Sequence, residues 1–98
     1  MIKVVIKKNG SKVPFDVDKI RKAIFAASKD VGLSTDSAQS VASRVISSVL
    51  QYTSNQEEIY VDELRSLVLE GLDDFAPNVS KAWKEYDQKN KTVPGDII

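Results

Sequence analysis

The chain has 98 residues, 42% of them hydrophobic and 29% charged, with 14 cations against 14 anions and neither cysteine nor histidine. That suits one globular domain with its own core, and it excludes a disulfide framework, all but excludes a zinc site, and removes the usual general base and thiol nucleophile. The balanced charge gives no pull toward nucleic acid, no apolar run nears the roughly 18–20 residues of a membrane span, and the opening residues do not resemble a signal peptide, so a cytoplasmic protein is expected.

Ile2 to Lys7 alternates, with Ile2, Val4 and Ile6 on one face and Lys3, Val5 and Lys7 on the other, as in a half-buried strand. Asn9-Gly10 signals a hairpin, because a type I′ turn needs positive φ at both central residues. A two-residue loop sets Lys8 opposite Ser11, Lys7 opposite Lys12, Ile6 opposite Val13 and Val4 opposite Phe15. Apolar pairs then share one face, and two lysines lie side by side at a small cost. Pro14, which has no N–H, ends the pairing.

Asp16 is placed to cap a helix over about 17–31, whose inward stripe is Val17, Ile20, Ala23, Ile24, Ala27 and Val31, with Gly32 just past its end. Ser34 or Thr35 caps a second helix to about Tyr52, built on Ala38, Val41, Ala42, Val45, Ile46, Val49 and Leu50. Thr53 to Glu58 is a polar loop. Ile59-Tyr60-Val61 is β-branched and aromatic, and predicts a third short strand. Asp62 then caps a third helix with Leu64, Leu67, Val68, Leu72 and Phe75 inward. Ala76-Pro77-Asn78 breaks it, and a fourth helix over about 78–89 offers Val79, Ala82, Trp83 and Tyr86. Residues 92–98 read as a tail or linker after a domain over 1–91. The order is ββααβαα: an α+β fold in which a small three-stranded sheet, a β-hairpin plus one short strand, caps a four-helix bundle.

Lys7, Lys8 and Lys12 gather on the hairpin. Lysines on strands protect an edge from aggregation, which is sufficient reason for them. Lys19 adds a second observation. It sits in the first turn of the following helix, where the dipole disfavours a cation, and a bound polyphosphate would relieve it. Neither GxxxxGK[ST] nor GxGxxG is present, so Gly10 is a turn residue and not a phosphate cradle. Glu57-Glu58, Asp62-Glu63 and Asp73-Asp74 fall in loops or near helix ends, where solvated acids or caps are the ordinary reading. Arg65 follows the short third strand and could face the hairpin.

VIKKNGSKVPFDVDKIRKAI, at positions 5–24, resembles the opening signature of the ATP-cone domain, close to V-x-K-R-[DN]-G-x-x-V-P-F-D-x-x-K-I-x-x-A-I. A short I-x-V strand at 59–61 and the trio Ala82, Trp83 and Tyr86 keep the family's order, so the resemblance spans roughly residues 2–91. It implies a non-enzymatic domain that binds ATP or dATP, with Mg2+ a candidate companion ion, beneath a three-stranded sheet. It further implies allosteric control of a ribonucleotide reductase, whose catalytic domain or subunit would be the partner. A nucleotide-dependent homo-oligomer and no role for nucleic acid or membrane complete that expectation.

By the same resemblance, Lys7, Lys8 and Lys19 meet phosphates, Val5 and Phe15 floor the pocket, Ile20 lies under the base or sugar, and Asp16 is the signature's acid. Val61, Leu64 and Arg65 close the pocket from the third helix, and Lys89 is the basic residue near the end of the fourth. Lys8 stands where the family has arginine, which keeps the charge but loses the bidentate fork. Glu85 and Asp87 would oppose a nearby phosphate. Two alternatives follow: a degenerate cone acting only as a subunit-contact module, and the nucleotide-sensing domain of a transcriptional repressor of reductase genes. The second carries a zinc ribbon ahead of the cone, which the cysteine-free start at Met1 disfavours.

Overall fold

The computed structural model describes residues 1–89, the side chains of 86–89 excepted. Strands β1 (Val4–Ile6) and β2 (Lys12–Pro14) form an antiparallel hairpin, and β3 (Glu58–Tyr60) pairs with β1 in parallel, giving the sheet order β2-β1-β3. Helices α1 (Val17–Asp30), α2 (Thr35–Tyr52), α3 (Val61–Phe75) and α4 (Pro77–Lys89) complete the predicted ββααβαα order. The stretch assigned to a tail, residues 92–98, lies outside the described residues.

The hairpin register differs from the expected one by one residue. Val5 faces Val13, Ile6 faces Lys12 and Val4 faces Pro14. Gly10 N–H donates to the Lys7 carbonyl at 2.9 Å, Lys7 N–H donates to the Ser11 carbonyl at 2.8 Å, and Gly10 has φ 87°. The loop is therefore Lys8-Asn9-Gly10, a turn followed by a bulge at a left-handed glycine, and not the two-residue type I′ turn. Asn9 stabilises it by accepting from the Ser11 N–H (3.0 Å) and hydroxyl (2.7 Å). Lys7 and Lys12 are consequently not opposed. Lys12 instead pairs with Glu58 across β1 at 2.9 Å. Pro14 is the last residue of β2, on an edge strand where its missing N–H costs nothing, but one bond of the same register follows it, from Phe15 N–H to the Lys3 carbonyl at 2.9 Å.

The sheet's inner face presents Val5 and Ile59 to the core, 3% and 1% exposed, while Val4 and Ile6 are only half-buried on the other side. The predicted grouping of Val4 and Ile6 as the apolar inner pair is thus reversed, and Ile2 is buried through the chain's entry to β1.

Helix α1 starts as predicted: the Asp16 carboxylate accepts from Asp18 N–H at 3.0 Å. It ends at Gly32, φ 87°, with Gly32 N–H bonded to the Lys29 carbonyl and Leu33 N–H to the Ser28 carbonyl, the reciprocal pair that satisfies a helix C-terminus. Ser34 caps α2 by accepting from Ser37 N–H. The α2 stripe of Ala38, Ala42, Val45, Ile46 and Val49 is buried, with Val41 and Leu50 packed at its margins. Gly71 lets α3 approach α2, since a Cβ there would sit 3.1 Å from Val45 Cγ1.

Helix α3 begins one residue after β3 with no linker, so Val61 belongs to the helix and not to the strand. Asp62 is therefore not the cap. Tyr60 holds that position without a side-chain bond, and Asp62 and Glu63 lie in the first turn, where the dipole favours anions. Phe75 was expected inward but is 45% exposed, because it is the last residue of α3; the Arg44 guanidinium lies 6.0 Å from its ring centroid. Pro77 opens α4 at a position whose N–H would be unused in any case. Val79 and Trp83 are fully buried, whereas the side chain of Tyr86 lies outside the described residues.

Candidate functional site

One pocket opens between the hairpin, the start of α1 and the first turn of α3. It is lined by Val5, Lys7, Val13, Pro14, Phe15, Asp16, Lys19, Ile20 and Leu64, with room for about 70 Å³. Each segment contributes for a local reason. The pleat turns Val5 and, two residues on, Lys7 to the same side of β1, and the Val5–Val13 pair brings Val13 to that side as well. Phe15 and Asp16 bridge to the helix, held by the Phe15 N–H bond to the Lys3 carbonyl at 2.9 Å. One turn of α1 then delivers Lys19 and Ile20, and Leu64 arrives from α3.

The lining sets two lysines beside a hydrocarbon floor. Ile20, Val5 and Leu64 are at most 3% exposed, Lys7 is half-buried and Lys19 is exposed. Among the described residues, no carboxylate forms an ion pair with Lys7 or Lys19. The N-terminal N–H groups of α1 are partly committed, with Asp18 N–H bonded to the Asp16 side chain and Lys19 N–H to the Asp16 carbonyl at 3.2 Å. An anion here would be met chiefly by the lysines, with only the remaining N–H groups to assist.

Seven of the residues singled out from the sequence meet at this pocket: Val5, Lys7, Phe15, Asp16, Lys19, Ile20 and Leu64. Lys8 does not line it; its ammonium lies 3.8 Å from Asp62. Val61 is buried in the core beside it, and Arg65 is half-buried on α3 and engaged in an interaction of its own. The side chain of Lys89 lies outside the described residues. Val13 and Pro14 were not foreseen as lining residues. The signal for Val13 is the hairpin register, which the shorter-loop assumption turned to the other face.

Among the described residues, no helix is long and apolar enough to cross a membrane, and no cluster of His, Cys, Asp or Glu is arranged to hold a metal ion.

A family model described as the ATP cone domain matches residues 3–92. The chain is also 36% identical over 74 residues to the "Transcriptional repressor NrdR" of Pelagibacter ubique (strain HTCC1062), a match covering 76% of this chain and 47% of that protein. The chain thus spans about half the length of the curated relative it matches. A relative of that name overturns the expectation of a ribonucleotide reductase partner with no role for nucleic acid. The family match fixes the broader assignment: the chain belongs to the ATP-cone family, a nucleotide-binding regulatory domain.

Proposed function

We propose that this domain senses ATP or dATP, and that it does so as the nucleotide-responsive part of a longer transcriptional regulator. The observation that carries the ligand assignment is the meeting of Lys7 and Lys19, from separate elements and both without a counter-ion among the described residues, over the apolar surface of Val5, Phe15, Ile20 and Leu64. In this reading the two ammonium groups hold the phosphates through charge-assisted bonds, each worth about 1.5–3 kcal/mol. Base or sugar packs on the hydrocarbon floor. Lys8, Val61 and Arg65 stand next to this set in the fold, Lys89 corresponds to the family's basic residue near the end of the fourth helix, and together they would complete the enclosure.

A room of about 70 Å³ is well below the roughly 300 Å³ at which ligand pockets begin. In this reading the hairpin, α1 and α3 part to admit the nucleotide, and a ligand that parts them favours one arrangement of the domain over another. Regulation needs that difference, since a nucleotide binding both arrangements equally would shift nothing. The regulatory setting draws on the match to a transcriptional repressor.

Calorimetric titration with ATP, dATP and GTP, with and without Mg2+, tests the ligand assignment. Saturable heat with the adenine nucleotides supports it; no heat with any nucleotide leaves a subunit-contact module. A gel-shift assay of the full-length protein on DNA upstream of reductase genes, with and without nucleotide, tests the setting. DNA affinity indifferent to nucleotide would contradict it.

A further inference from the structure

Lys8 is the neighbour of the pocket-lining Lys7, and Asp62 lies two residues before the pocket-lining Leu64. The two charges meet at 3.8 Å, with side chains 72% and 68% exposed. Their pair therefore joins the hairpin loop to α3, two of the elements that flank the pocket. The acids near it have partners of their own: Glu58 holds Lys12 at 2.9 Å, and Glu63 accepts from Gln56 Nε2 at 3.5 Å. Lys7 and Lys19 have no such carboxylate among the described residues.

We infer that Asp62 is a specificity-determining residue, an intramolecular competitor for Lys8 that sets how strongly the domain distinguishes nucleotides by phosphate number. This inference rests on the nucleotide assignment above. Lys7 and Lys19 suffice for the phosphate nearest the sugar. Lys8, one residue further along the loop, is available to the outer phosphates only when it leaves Asp62. A monophosphate has nothing to offer Lys8 and leaves the pair intact. A triphosphate carries enough charge to displace the carboxylate, and part of its binding energy is spent against that competition.

Removing the competitor should consequently tighten the triphosphate alone. In titrations of the full 98-residue chain, Asp62→Asn should bind ATP about two- to fivefold more tightly than wild type at low salt, the scale of an exposed ion pair. AMP affinity should not change. The gain should fade as salt rises, because both groups are exposed. Lys8→Gln provides the second arm: it should weaken ATP more than AMP, and adding Asp62→Asn to it should bring no gain. Equal tightening of ATP and AMP by Asp62→Asn would overturn the inference, since the pair would then be a latch on pocket opening. Weaker ATP binding would overturn it too, by making Asp62 a support for Lys8. If wild-type protein binds neither nucleotide, the functional assignment itself fails, a result distinct from either.

Discussion

Val5 lies directly opposite Val13 in the β1–β2 ladder, and both line the pocket. Cross-strand partners share a face of the sheet, so this pair determines which hairpin side chains look toward α1. With Ile6 opposite Val13, the apolar pairs would have turned to the outer face and Lys7 would have stood against Lys12. One residue of loop length separates the two outcomes.

That loop depends on Gly10, whose φ of 87° is left-handed and around which a Cβ would meet nothing within 4 Å. Gly10→Ala should therefore cost only the backbone strain, about 1–2 kcal/mol. Gly32→Ala, equally open and also at φ 87°, should cost about the same. For a domain of this size each kcal/mol lowers the melting temperature by roughly 4–8 °C, which a thermal scan by circular dichroism resolves.

Gly71 serves a different purpose, the close approach of α3 to α2. Its Cβ would lie 3.1 Å from Val45 Cγ1, on a side chain that is fully buried. A helix interior gains up to about 1 kcal/mol from Gly→Ala, so Gly71→Ala should be nearly neutral as the two effects offset. Gly71→Leu has no such balance and should lose about 1–3 kcal/mol to overpacking. Urea unfolding of both variants compares them directly.

Leu72 and Phe75 are one turn apart at the end of α3, with Leu72 fully buried and Phe75 45% exposed. Leu72→Ala should cost about 2–5 kcal/mol, in the range for buried leucines. Phe75→Ala should cost less than about 1 kcal/mol, despite removing the larger side chain. Comparable losses in chemical denaturation would contradict the placement of Phe75 outside the core.

The helices could be read from the chain because burial on one face leaves a periodic record. In α2 the stripe from Ala38 to Val49 is long enough to settle the element, and Asp16 and Ser34 mark their helix starts by short polar side chains. The hairpin register could not be read so. Asn9-Gly10 suits a two-residue loop, and a longer one is equally served by the glycine alone. The β3–α3 junction was blurred because Ile59 and Val61 are both buried β-branched residues, one at the centre of a three-residue strand and the other opening a helix. Phe75 continues the inward period of α3 beyond the point where the core stops. At the pocket, the lysines and the floor followed from the ATP-cone signature, whereas Val13 depended on the register and Lys8 on a partner, Asp62, far away in sequence.

Lys7 and Lys19 are proposed above to converge on the phosphates of one nucleotide. The most direct measurement is calorimetric titration of ATP into wild type, Lys7→Ala and Lys19→Ala at fixed salt, with melting curves of each protein recorded alongside. Lys19 is exposed, and Lys7 is half-buried with no ion pair to a described carboxylate, so the variants should melt within a few degrees of wild type, while each loses roughly tenfold or more in ATP affinity, the equivalent of about 1.5–3 kcal/mol. ATP affinity unchanged in both variants, with the fold intact, would contradict the claim.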